Sequence, residues 1–144
     1  MSVYMLLSSD FPLEEVPSPP DLVIVLEPGK QGGEYRNAGR GFAVSALPWF
    51  PDEIHTEKEY LFNLDIYGGE EAVAAYLREQ LEEAGEIELW HVWLDGSFDH
   101  RVRKVEIGAD ELTAEDIREL ERLEVWREDP VTERPVDYCF LLTK

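Results

Sequence analysis

Six side chains suited to holding a small molecule lie in or beside apolar segments of the chain: Trp49, Tyr67, His91, Trp93, Arg101 and Arg103. If residues 101–107 form a strand, Arg101 and Arg103 point to the same side and can clamp a carboxylate or a phosphate. The aromatic rings would supply the apolar walls of such a pocket. These residues therefore define a candidate pocket on an open sheet face, and its function would be that of a small-molecule-binding domain or a small enzyme. The alternative explanations are that the arginines offset acids across the sheet, and that His91 is a hydrogen-bonded, half-buried imidazole.

Motifs for covalent, metal or nucleotide chemistry do not occur in the sequence. The serines include no Gly-x-Ser-x-Gly elbow, and the three histidines match no metal-ligand spacing. Residues 29–41 are rich in glycine but have the spacing of neither a P-loop nor a dinucleotide fold, so they indicate the tip of a long hairpin. The single cysteine, Cys139, lies in an apolar run and is expected to be a buried thiol. We therefore predict no cofactor and no metal site, and the sequence carries no signature of an enzyme.

Negative charge dominates the composition, with 13 lysines and arginines against 32 acids and a net charge of −19. Such a field repels nucleic acid and anionic membranes, and it attracts basic proteins. Residues 61–144 carry 22 acids and 9 bases, so most of the charge lies in the second half of the chain. The acids expected to form one partner-binding surface on and around two helices, with Glu88, Glu121 and Glu124 beside them, are Glu79, Glu82, Glu83, Glu86, Asp110, Glu111, Glu115, Asp116 and Glu119. The alternative is an ordinary solvated face, on which Arg78, Arg118 and Arg122 offset the acids.

Strand and helix patterns alternate in the second half of the chain. Residues 70–84 have apolar side chains at helical spacing and end before Gly85, and the capping-box pattern from Thr113 to Asp116 begins a second helix that ends near Glu124. Alternating or continuous apolar segments predict four strands, over 60–67, 87–94, 101–107 and 136–143. A turn at 95–97 favours pairing of the second and third of these strands as a β-hairpin, and Pro130 and Pro135 bracket a loop before the last strand.

The resulting βαββαβ order of residues 60–144 resembles the ferredoxin-like arrangement. It predicts an α+β fold in which a mixed, mostly antiparallel sheet carries two helices on one face. Strand alternation further predicts that Tyr67, Leu61 and Trp93 share the sheet face opposite Phe62 and Trp90, with Trp126 packing there or beneath the second helix.

Residues 1–59 are expected to add strands and loops to this unit. Candidate strands at 3–7, 22–27 and 42–47 are separated by proline and glycine, so we predict that this half extends the sheet or covers its open face. The segment 47–51, with Trp49 and Phe50 between prolines, is expected to be a lid over the core or a docking knob. The whole chain, 1–144, is predicted to be a single α+β domain of cytoplasmic residence.

The charge favours a non-enzymatic, strongly acidic binding protein, of the kind that immunity and inhibitor proteins represent, with a basic protein as its partner. No direct contact with nucleic acid or membrane is expected. The alternative function is the small-molecule site described above. A homodimer joined through an edge strand is a third alternative.

Overall fold

The fold is described from a computed structural model, which describes residues 2–26, 28–29, 33–51, 54–94, 101–122 and 136–144. The predicted turn at 95–97, the predicted helix end near Glu124, Trp126 and the loop between Pro130 and Pro135 lie outside the described residues. In chain order the elements are β1 Ser2–Ser9, β2 Val23–Leu26, β3 Gly33–Arg36, β4 Phe42–Ala46, β5 Tyr60–Ile66, α1 Glu70–Ala84, β6 Glu86–Leu94, β7 Arg101–Gly108, α2 Ala114–Arg122 and β8 Val136–Thr143.

Six strands form one sheet in the order β4-β5-β1-β6-β8-β7. Every neighbouring pair in it is antiparallel except β7 and β8, which run parallel. The predicted α+β fold with a mixed, mostly antiparallel sheet and two helices is therefore confirmed. The other two strands, β2 and β3, form a separate two-stranded ribbon.

Local sequence signals fix both ends of α1 and the start of α2. Helix α1 follows Gly69 and ends at Gly85, which takes φ 75° and donates its backbone N–H to the carbonyl of Leu81 at 2.8 Å. At the start of α2, the Asp116 carboxylate accepts from the backbone N–H of Thr113 at 2.9 Å, and the Asp116 N–H donates to the Thr113 hydroxyl at 3.3 Å. This reciprocal pair is the predicted capping box.

The sheet divides the core into two parts. On one side, which we call the helix face, apolar side chains of the sheet pack with both helices, as Leu89 does with Leu77 and Ile117. On the other side, the opposite face, Trp90 packs in a smaller cluster with Leu61. Because side chains alternate along a strand, each residue of β6 can be assigned to one of these two faces.

Two predictions are wrong: the hairpin between β6 and β7, and the placement of Phe62 and Trp90 on one face of the sheet. The positions of β8 and β1 explain these two errors. Strand β8 lies between β6 and β7, so those two strands do not form a hairpin, and the ferredoxin-like arrangement is not confirmed. Strand β1 lies between β5 and β6, and its Leu7 pairs with both Phe62 and Leu89. That register puts Phe62 on the helix face, whereas Leu61 and Trp90 pack together on the opposite face.

The first half of the chain divides its strands between the sheet and the ribbon. Strand β1 is central, β4 forms an edge, and an isolated bridge joins Val16 to Val44. Gly41 and Gly69 bring the start of β4 against the turn between β5 and α1: the Gly41 carbonyl accepts from the Gly69 N–H at 3.1 Å, and a Cβ built on Gly69 would lie 2.7 Å from the Gly41 Cα. No helix of the described residues is long and apolar enough to cross a membrane.

Candidate functional site

Trp49 and Tyr67, two residues of the predicted pocket, lie against different parts of the molecule. Trp49 is 60% exposed and lines a small cavity of about 120 Å³ with Leu6 and Leu47, which belong to the cluster on the opposite face. Tyr67 contacts Tyr35 of the ribbon, with ring centroids 5.8 Å apart. The predicted lid segment thus reaches the smaller core cluster while its tryptophan stays exposed.

His91 follows Leu89 by two residues on β6 and therefore lies on the helix face, away from Trp49. It is only 2% exposed, and its Nδ1 has no hydrogen-bond partner among the described residues. Burial lowers the pKa of His91 to about 4, so the imidazole is neutral at pH 7. The imidazole is thus almost fully buried and not half-buried, and its Nδ1 makes no hydrogen bond to the described residues.

The arginines of the predicted pocket lie on β7, two strands away from β6. Arg103 is exposed and pairs in register with Tyr138 of β8. The side chains of Arg101 and Trp93 lie outside the described part of the chain. A pocket formed jointly by His91 and these arginines stays a prediction.

The predicted acidic surface is largely exposed. Glu79, Glu82 and Glu83 project from α1, and Glu115 and Glu119 from α2, with Asp110 and Glu111 in the segment before it; all seven are exposed. Arg78 donates to the Leu112 carbonyl at 2.7 Å and so links α1 to the segment before α2. The acids of both helices therefore lie on one side of the sheet.

Four of the acids placed with this surface by the sequence have other roles. Asp116 is half-buried in the capping box of α2. Glu86 and Glu88 lie four and two positions before Trp90 on β6, so they share its face of the sheet, which is the face away from the helices. Glu121 is half-buried, and burial, followed by the negative charge of Glu70, raises its pKa to about 7. Acids that are close together in sequence point to different sides of a strand or a helix, so they do not all belong to one surface.

Ion pairs neutralise only part of the acidic surface. Glu82 lies 3.2 Å from the ammonium of Lys144, and Glu115 lies 3.5 Å from Arg118 and 3.6 Å from Arg122. Among the described residues, no lysine or arginine lies within ion-pair distance of the remaining exposed acids of this surface, which are Glu79, Glu83, Asp110, Glu111 and Glu119. These five carboxylates leave an exposed anionic area, which we call the acidic helical surface.

A polar cleft of about 450 Å³ lies on the opposite face of the sheet. The residues that line it are Asp10, His55, Glu57, Lys58, Glu86, Glu88 and Lys104. They come from β6, from β7 and from the segments that follow β1 and precede β5. In the sheet order β5-β1-β6-β8-β7, only β8 separates β6 from β7. The cleft brings together residues that are up to 94 positions apart in sequence.

Glu88 is the buried centre of this cleft, at 4% exposure. Its Oε1 accepts hydrogen bonds from the hydroxyls of Ser8, at 2.7 Å, and Thr56, while its Oε2 accepts from the Lys104 ammonium at 2.9 Å. Burial by itself raises the pKa of Glu88, but the hydrogen bonds from Thr56, Ser8 and Lys104 outweigh it and hold the pKa below its usual value. Glu88 is therefore a fixed negative charge at neutral pH and not a proton donor.

The two lysines of the cleft are each matched to acids. Lys58 Nζ lies 2.5 Å from Glu86 Oε1 and 3.5 Å from Asp10 Oδ2. The hydrogen bond to Glu88 raises the pKa of Lys104, and the bond to Glu86 raises that of Lys58 against the effect of its burial. Both ammonium groups stay charged, so neither serves as a base near neutral pH.

Nucleophiles near the cleft are not poised to react. The Ser8 hydroxyl is fully buried, donates to Glu88 and accepts from Trp90 Nε1 at 3.0 Å. Cys139 is also buried, and burial raises its pKa to about 12, which leaves the thiol protonated. The predicted buried strand thiol is thus confirmed. This arrangement binds and orients charges; it does not generate a nucleophile.

Sequence reasoning missed this cleft. The signal that could have found it is Glu88, a charged residue between Ile87 and Leu89 in a strand that is otherwise apolar, which needs a buried partner. Its partners could not be named, because Ser8 and Lys104 reach it only through the pairing of β1 with β6 and of β8 with both β6 and β7.

No protein-family model, curated protein or solved structure matches the chain. The described residues contain no group of three or more His, Cys, Asp or Glu side chains that could hold a metal ion. The acidic helical surface and the polar cleft are the two candidate functional sites of the described residues.

Proposed function

We propose that this protein is a non-enzymatic binding protein whose acidic helical surface engages a basic protein, in the manner of an immunity or inhibitor protein. The observation that carries the proposal is the exposure of Glu79, Glu83, Asp110, Glu111 and Glu119 without ion-pair partners among the described residues. Exposed carboxylates on two linked helices can pair with lysines and arginines of a partner at little desolvation cost.

Electrostatics also supports the class of partner. The net charge of −19 raises the association rate with a basic protein and opposes association with nucleic acid or an anionic membrane. Binding through such a surface weakens as salt is added, since the Debye length falls from about 10 Å at 0.1 M to about 3 Å at 1 M.

A pair of charge-matched variants tests the proposal. The first changes Glu79, Glu83, Glu111 and Glu119 to Gln. The control changes four exposed acids elsewhere, Asp21 and Asp65 to Asn and Glu59 and Glu106 to Gln, and so has the same net charge. Wild type and both variants are used as baits for basic proteins from source cells and then titrated against each captured protein.

A genuine partner binds wild type and the control variant with similar affinity, loses at least about tenfold in affinity for the first variant, and dissociates at high salt. Equal losses in both variants would show that net charge alone attracts the captured proteins. That result would reject a dedicated surface on the helices.

The polar cleft favours a second candidate function, the binding of a small molecule that carries both charges. Its two ammonium groups and its carboxylates line one cavity, so a zwitterion such as an amino acid could exchange for the internal ion pairs. Thermal-shift screening of amino acids and dipeptides tests this function. A ligand of the cleft raises Tm in wild type and in Arg103→Met, which lies outside the cleft, but not in Lys58→Met; a shift retained in Lys58→Met would exclude the cleft.

A further inference from the structure

The β2–β3 ribbon is an unusual part of this molecule because it is both apolar and exposed. Ile24 is 57% exposed, Leu26 73% and Tyr35 42%, and all four residues of β3 are exposed. Within the described residues the ribbon has only two strands, so each strand keeps one edge of backbone N–H and C=O groups without a strand partner. A two-stranded ribbon is marginally stable in water, and open apolar edges favour addition of further strands.

Charge separates the ribbon from the rest of the chain. Residues 23–36 carry two bases and two acids, a net charge of 0, so the other 130 residues carry eleven bases and thirty acids, a net charge of −19. Two copies of the chain repel each other through most of their surfaces. The ribbon is the segment where this repulsion is smallest, and charges further apart than about 8 Å are screened at physiological salt.

The sequence of β3 is complementary to itself. Glu34 and Arg36 lie on one face of the strand, with carboxylate and guanidinium 3.9 Å apart and 67% and 61% exposed, and Tyr35 lies on the other face. In an antiparallel pairing of two copies centred on Tyr35, Glu34 of each copy stands opposite Arg36 of the other. Opposite charges directly across two strands stabilise that register.

We propose that β3 pairs with β3 of a second copy about a two-fold axis at Tyr35, forming a four-stranded sheet in the order β2-β3-β3-β2. The two Tyr35 rings then stand side by side on one face, each flanked by Ile24, its partner across the ribbon. This contact is isologous, as in most homodimers, and it pairs the backbone edge of both β3 strands. Because the paired segments are short, the dimer is weak and depends on protein concentration.

Two charge reversals test the register directly. Glu34→Arg places Arg opposite Arg in both positions of the dimer, and Arg36→Glu places Glu opposite Glu. Each variant alone should dissociate at least about tenfold more readily than wild type. An equimolar mixture of the two variants should restore association. In the mixed dimer one chain carries two arginines at positions 34 and 36 and the other carries two glutamates, so both cross-strand pairs join opposite charges.

Sedimentation velocity over a range of concentrations at 0.15 M salt measures these equilibria. Glu59 is exposed and lies outside the ribbon, so the variant Glu59→Arg is the control for the change in net charge. This variant should associate at least as well as wild type. Circular dichroism verifies the fold of each variant. A wild type that stays monomeric at all concentrations, a mixture that does not associate, or a dimer lost in Ile24→Lys but not in either charge reversal would each overturn the proposal.

Discussion

Replacing Glu88 tests whether the buried carboxylate holds the opposite face of the sheet together. The change Glu88→Gln keeps the size of the side chain and one acceptor oxygen but removes the negative charge. In wild type that charge receives three hydrogen bonds, from Ser8, Thr56 and Lys104. The hydroxyl of Ser8 is fully buried, so it has no water to replace a weakened bond.

The expected loss follows from the burial of each partner. Hydrogen bonds to a charged group contribute more than those to a neutral one, and the neutral amide keeps part of each, so we expect Glu88→Gln to lower the free energy of unfolding by about 2 kcal/mol. The Lys104 side chain is 49% exposed and can return to water, which keeps the loss below the 3–5 kcal/mol of a fully buried broken pair. Glu88→Ala adds a cavity and is expected to cost ~3 kcal/mol.

The dependence on pH separates this account from simple loss of packing. Because the folded pKa of Glu88 lies below its unfolded value, its ionisation stabilises the fold above the unfolded pKa, and this contribution is lost as pH falls through the folded pKa. The difference in the free energy of unfolding between wild type and Glu88→Gln should therefore be largest at pH 7 and should decrease at acidic pH. Urea unfolding of both proteins across this range measures it, with Glu106→Gln, an exposed residue of β7, as the control.

Equal stability of wild type and Glu88→Gln at pH 7 would refute the network as a stabilising feature. A difference that persists unchanged into acid would show that shape, and not charge, is what the site requires.

Two further perturbations test other parts of the fold. Glu121→Gln should stabilise the protein at pH 8 and not at pH 5, because the folded pKa of about 7 makes ionisation of Glu121 unfavourable. The pKa shift sets a ceiling of ~3 kcal/mol on this gain, and solvent screening of the half-buried group reduces it to about 1 kcal/mol. Urea unfolding at both pH values measures the gain. Gly69→Ala should cost ~1–3 kcal/mol in the same assay, because its Cβ would meet backbone atoms of Gly41. Gly108→Ala, which meets only side-chain atoms of Asp110 and Glu111, should cost less, and a larger loss there would contradict the steric argument.

Much of the local structure was readable from the sequence because short-range signals specify it. The bounds of α1 follow from the glycines that flank it and from its apolar spacing, and Thr113 with Asp116 identifies the start of α2. The strands of the second half were predicted within one residue at each end. These features depend on neighbours within a few positions along the chain.

Strand pairing was not readable, because it depends on contacts between distant segments. Nothing in the segment 2–9 indicates that it would enter between β5 and β6, and that single insertion decides which face Phe62 and Trp90 occupy. The register between two strands determines on which face of the sheet each of their side chains lies, and a shift of one residue exchanges the two faces. The predicted pocket included both Trp49 and His91, whereas Trp49 lies against the cluster on the opposite face and His91 lies on the helix face.

The same insertion explains why two ionisable residues of β6 differ in what surrounds them. Glu88 meets Ser8 of β1 and Lys104 of β7 on the opposite face, so its charge is satisfied. His91 lies on the helix face, where burial lowers its pKa to about 4, so charging it costs stability as pH falls below its unfolded value of 6.5. Glu121 has the opposite effect, because its protonation as pH falls through about 7 stabilises the fold. Between about pH 4.5 and 6.5 these two effects oppose each other, because His91 takes up a proton in the unfolded state whereas Glu121 takes one up in the folded state. The acidity of the chain therefore includes a few carboxylates that the fold has placed individually, in addition to those that cover its helical surface.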